Sequence, residues 1–254
     1  MTDTTGNPSL PVQFRYEFFF GDGSKREFRI ELDPVDLHLL TTPRSEYPDW
    51  TLLSFNKCGN CPLSDEVPRC PIAVNLIDLV EEFGALKSFE PVRVVVHAAA
   101  RDYVKETTLQ KGLSSMMGIY MSTSGCPILD RLRPNVRFHL PFASGLETFV
   151  RSISMHLLAS FFAGRRGETM EPNLVALLEL YREVTKVNKG MSARLIAATQ
   201  SDANVNALVI LHTFGDGLQY YVDSSLNELE GDYQLYWRGI TASNASPETP
   251  DDDI

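Results

Sequence analysis

The sequence lacks any apolar run approaching the roughly 18 uninterrupted residues that a membrane-spanning helix requires. Its nearest stretch, Phe149 to Ala163, is broken by Arg151, Ser152 and His156. A net positive charge is also missing: 23 Lys and Arg face 33 Asp and Glu, for a formal charge of -10. That balance argues against a nucleic-acid or anionic-membrane surface, either of which needs a basic footprint. Residues 1–10 hold no Lys or Arg ahead of an apolar stretch, so no secretory signal is expected there. Serine nucleophile elbow, Walker loop, His-Glu-x-x-His and dinucleotide fingerprint are all missing. Whether the chain is an enzyme is therefore left open. Cysteine is scarce too, with four in 254 residues and none after Cys126.

What is present points to an α+β architecture: a small antiparallel β-sheet, made of an N-terminal hairpin plus later strands, followed by a helical C-terminal half. Val12 to Phe20 and Lys25 to Leu32 flank Gly21-Asp22-Gly23-Ser24, a turn whose glycines accept positive φ. Asp33-Pro34 reads as the opening of a short helix through Leu40. Trp50 to Phe55 reads as a strand, and Pro71 to Phe83 as a helix capped by Gly84. Val92–Val96 and Asp102–Thr107 are expected as strands in the hairpin's sheet, ahead of a helix from Leu109 to about Met121. Ser144-Gly145-Leu146-Glu147 is a capping box before an amphipathic run of Phe149, Val150, Ile153, Leu157 and Phe161. A long helix is expected from Leu174 to about Ala198, with Leu177, Leu178, Tyr181, Val184, Val187 and Leu195 inward. Asp202 should cap a last helix from Ala203 towards Leu229, weakened at Gly215 and Gly217. In domain terms, 1–10 reads as a flexible N-terminus, 11–240 as one domain and 241–254 as an acidic disordered tail.

The cysteines carry the chemical expectation. Cys58, Cys61 and Cys70 share one polar loop, Cys126 lies beyond the sheet, and proline follows Cys61, Cys70 and Cys126. A metal centre of four thiolates would unite them, with a [4Fe–4S] cluster expected ahead of Zn2+ because Pro62 disfavours a zinc-knuckle turn. Cys70 before Pro71 and Cys126 before Pro127 would each sit at a helix start, where backbone N–H groups favour a thiolate. Buried free cysteines, or a Cys58–Cys61 redox pair, are the competing readings. His139 could join as a ligand or neighbour of the centre, although a strand histidine with a satisfied ring is the plainer reading. Arg131, Arg133 and Arg137 could offset thiolate charge or bind an anion, but solvated arginines are expected. Met116, Met117 and Met121 fit core packing.

The functional expectation is a cytoplasmic metalloprotein with a structural, redox-sensing or electron-transfer role, since reduced thiols are the rule there. The alternative is a zinc-stabilised protein–protein interaction module. Cys58-Gly59-Asn60-Cys61-Pro62-Leu63, Arg69-Cys70-Pro71-Ile72-Ala73 and Thr123-Ser124-Gly125-Cys126-Pro127 resemble a bacterial family catalogued only as a domain of unknown function. Arg137 to Phe142 and Asp202 to Leu208 are similar as well. The resemblance implies a bacterial origin and supplies no activity, substrate or ligand.

Overall fold

The structure, a computed structural model, describes residues 11–168, 173–198, 202–234 and 236–238. The expected flexible N-terminus and acidic tail lie outside the described residues. Strands β1 (Val12–Phe20), β2 (Lys25–Leu32), β3 (Pro91–Ala98) and β4 (Asp102–Thr108) form an antiparallel sheet in the order β2-β1-β3-β4. Alternation sets its faces: Phe14, Tyr16 and Phe18 of β1 point into the core, while Arg15 and Glu17 look the other way. The registers Tyr16↔Phe28 and Tyr16↔Val96 carry that alternation across the sheet. Gly23, at φ 84°, closes the hairpin as its turn requires.

Among the described residues, seven α-helices follow or interrupt the strands: α1 (Pro71–Asn75), α2 (Ile77–Phe83), α3 (Leu109–Ser122), α4 (Pro134–Arg137), α5 (Gly145–Arg165), α6 (Val175–Ala198) and α7 (Ala203–Glu230). The α+β class with a helical second half is what the sequence predicts. Helix α3 lies directly on the sheet, because Gly112 has no side chain to hold it off. A Cβ there would stand 2.8 Å from Phe18 Cε1 and 3.0 Å from Val94 Cγ2. Met116, Met117 and Met121 are buried in this core, as expected from their spacing.

Three local expectations fail for identifiable reasons. Residues 33–40 form a turn rather than a helix: the Asp33 carboxylate accepts from Val35 N and Asp36 N, and Leu37 at φ 61° stops any further winding. Residues 50–55 are not a strand but a 3-10 turn (Asp49–Thr51) followed by a single bridge, Leu52↔Arg69. The carbonyls a strand partner would take are bonded by a helix side chain instead. The run 71–83 breaks at Leu76 into α1 and α2, and Gly84 ends it in ordinary right-handed geometry at φ -66°. Helix α5 starts with the full Ser144–Glu147 capping box. Its apolar stripe outruns its neighbours, however, and Leu157 and Phe161 are 41% and 60% exposed. Asp202 precedes α7 but makes no side-chain cap; its carboxylate accepts from Ser88 N and Oγ, both at 2.9 Å. Helix α7 runs unbroken past Gly215 and Gly217.

Two buried clusters result. The larger joins the sheet, α1 to α3 and the inner faces of α6 and α7; the smaller is Phe149, Leu177 and Tyr181, between α5 and α6. Leu132 packs against both. The close approach of α3 to the sheet predicts the outcome of one substitution. Gly112→Ala should lose a net 1–2 kcal/mol or so in urea unfolding, because overpacking outweighs the gain in helix propensity. Gly164→Ala, with nothing within 4 Å of the new Cβ, should be neutral or slightly stabilising.

Candidate functional site

The cysteine loop docks on one face of α6. Asn60 Nδ2 donates to Glu183 O and Oε2 at 3.0 and 2.7 Å, and the Cys58 thiol faces Val187 O at 3.8 Å. Gly190 lies against Cys58, where a Cβ would meet Sγ at 2.6 Å. Arg194 Nη1 donates to Trp50 O and Leu52 O, each at 2.6 Å. Positions 183, 187, 190 and 194 repeat every three or four residues, so a single helical face receives the loop.

The four thiols share a neighbourhood close enough for Cys58 to feel Cys70, Cys61 and Cys126, and for Cys126 to feel Cys70 and Cys61. They do not make a metal site. Among the described residues, no group of three or more His, Cys, Asp or Glu side chains could hold a metal ion. The expected metalloprotein is thereby corrected, and with it the redox-sensing or electron-transfer role and the zinc-stabilised module. Cys58 and Cys126 are turned to different backbone groups. Cys58 faces α6, Cys70 occupies the N-cap of α1 without a side-chain cap bond, and Cys126 is bonded by the backbone N–H groups of Leu129 and Ile128. Burial also raises the thiol pKa of Cys126, and that of Cys58 to about 12, which favours neutral thiols over thiolates. All four cysteines are free.

The other singled-out residues serve local structure. Arg133 pairs with Asp130 and donates to Asp36 O at 3.2 Å, and Arg137 donates to Pro34 O at 2.8 Å, so both hold the 33–37 turn. Arg131 is exposed. Arg194 faces Cys70, Cys58 and Cys61, and Lys57 lies near Cys61 as well.

A second feature has the shape of a site. Between the two buried clusters lies a cavity of about 910 Å3, within the range of about 300–1,000 Å3 usual for small-molecule pockets. One wall is a stripe of small residues on α3, Ser114, Ser115, Gly118 and Ser122, none large enough to fill the gap. Facing it are apolar side chains such as Leu132, Val136, Leu140 and Val184. Phe142, on the rim, holds φ 61°, a conformation bulky residues rarely adopt and one often found where ligands are clamped.

Polar groups converge on the same space. The buried Tyr16 hydroxyl bridges Ser115 Oγ at 3.0 Å and His139 Nε2 at 2.6 Å. His139 lies beyond α4 in a loop, not on a strand, and its ring meets Phe14 edge-on at 5.3 Å. Its ring is satisfied, as the plainer reading of the sequence expects. Burial pushes its pKa down to about 3, with the nearby Arg151 charge adding to the effect, so the imidazole is neutral at pH 7. Tyr181 hydrogen-bonds Ser152 at 2.8 Å.

The α+β frame thus carries a half-open, mostly apolar pocket bearing a polar cluster. The chain belongs to a family described as a domain of unknown function, DUF6901, which matches residues 14–234. No curated protein and no solved structure matches it. Among the described residues, no helix is long and apolar enough to cross a membrane.

The neutral His139 gives a pH signature. Its folded pKa lies below the ordinary 6.5, so the unfolded chain binds the extra proton first as pH falls. Stability should drop by roughly 1 kcal/mol per pH unit below about 6.5, continuing towards the folded value. Urea unfolding at pH 7, 5.5 and 4.5 should show that slope in the wild type and a flatter one in His139→Gln. Equal slopes would contradict the assignment.

Proposed function

We propose that this protein binds a small, predominantly apolar molecule in the cavity between α3, α5, α6 and the 132–145 segment. The observation that carries the reading is the cavity itself, which separates two well-packed clusters and is walled by small residues on one side. Concave pockets of this size with mostly apolar walls and a few convergent polar groups are where small molecules bind. A cavity that persists beside a cluster of Tyr, His, Ser and Arg side chains fits a retained binding function. Its polar groups would orient the guest, and its apolar walls would supply most of the affinity. Four free cysteines support a reducing, cytoplasmic setting, and the family resemblance supports a bacterial one.

The test is a titration with the neutral fluorophore N-phenyl-1-naphthylamine. Saturable, one-to-one enhancement is expected from the wild type. Ala143→Trp, which places an indole at the cavity wall, should weaken binding about tenfold or more. A linear, non-saturating rise, or identical affinity in Ala143→Trp, would refute the proposal.

A further inference from the structure

Arg151 projects from α5 into the cavity without a carboxylate to meet it. Nε is buried and has no hydrogen-bond partner, and Nη1 reaches only Phe138 O, at 3.5 Å. No ion pair involves this residue among the described residues, although nearly every other buried or half-buried charge here has one or is bonded at several atoms. Glu147 lies one turn earlier on the same helix and also lines the cavity. Its carboxylate is committed to Ser144, accepting from the backbone N at 2.7 Å and from Oγ at 2.8 Å.

The walls hold a second unsatisfied atom: Asn135 Oδ1 is buried without a partner. Lys105 and Lys111 line the same space, so three cations face the single carboxylate of Glu147 there, within a chain of net charge -10. A half-buried guanidinium with an unpartnered Nε and no counter-ion is costly, and such a group suits a site where a ligand supplies the opposite charge. Burial lowers the Arg151 pKa, the direction expected of an uncompensated cation.

We infer that the cavity's ligand is an amphiphile with an apolar body and an anionic head, a carboxylate, which Arg151 receives. This rests on the cavity being a binding site and names the class of molecule it takes. The planar guanidinium offers paired N–H donors that match the two oxygens of a carboxylate, and Nε is one of those donors. The neutral His139 and Ser115 border the head-group region without adding a competing charge. The apolar body lies along the Gly118 and Val184 walls.

Displacement of N-phenyl-1-naphthylamine by decanoate and by decanol distinguishes the two layers of the argument. Wild-type protein should prefer decanoate over decanol by about tenfold or more, the usual worth of a charge-assisted pair. That ratio should fall towards one in Arg151→Met and be partly kept in Arg151→Lys, each variant serving as its own folding control because both ligands are measured on it. Equal affinities in the wild type, or a preference that survives Arg151→Met, would overturn the inference while leaving the cavity reading intact. Failure of the fluorophore itself to bind would remove both.

Discussion

A buried guanidinium holds this fold in register. Arg194 is 1% exposed and donates to three consecutive-region carbonyls, Trp50 O, Leu52 O and, at 3.4 Å, Leu53 O, with the Phe55 ring 5.8 Å away. No carboxylate pairs with it among the described residues, so carbonyl dipoles and the ring carry the compensation for its charge. The bonds are mutual obligations: without Arg194 the Trp50 carbonyl would lose its donor, and without the turn the cation would be buried and unpaired. The 49–70 loop and α6 are therefore locked together, and Glu183, Val187 and Gly190 extend the same seam along one helical face. Cys58 belongs to this seam.

Fixing α6 in this way determines what its other face can do. Tyr181 and Leu177 pack with Phe149 of α5, while Val184 and Val187 belong to the sheet-side cluster. One helix thus serves two cores, and the gap between them cannot be closed by sliding α6 towards either. The small residues of α3 leave that gap open, and Leu132 bridges only part of it.

The sheet was readable because its alternation is strict and its turn carries two glycines; β3 and β4 were equally marked by β-branched and alternating residues. The capping box before α5 and the apolar period of α6 were visible for the same local reason. Residues 33–40 and 50–55 were misread because their conformation is set by partners distant in sequence, such as Arg194 for the 50–53 carbonyls. The cysteine spacing showed proximity but not direction: the thiols do approach one another, yet Cys58 turns to α6 and Cys126 to the 128–129 backbone. Periodicity on α5 showed which face is apolar and nothing about how far its neighbours extend. The cavity had a faint signature in Ser114, Ser115, Gly118 and Ser122, but small residues on a helix more often mark close packing. Nothing in the pattern around Arg194 distinguishes it from an ordinary helix cation; only its burial does.

The account's central claim, that the guest lies between the two cores, is tested most directly by amide chemical shifts during a decanoate titration of the isotope-labelled protein. Saturable shifts should concentrate at Ser115, Gly118, His139 and Arg151. Shifts gathered instead on the outer surface around Arg131, Arg137 and Phe162, with the cavity walls unchanged, would contradict it.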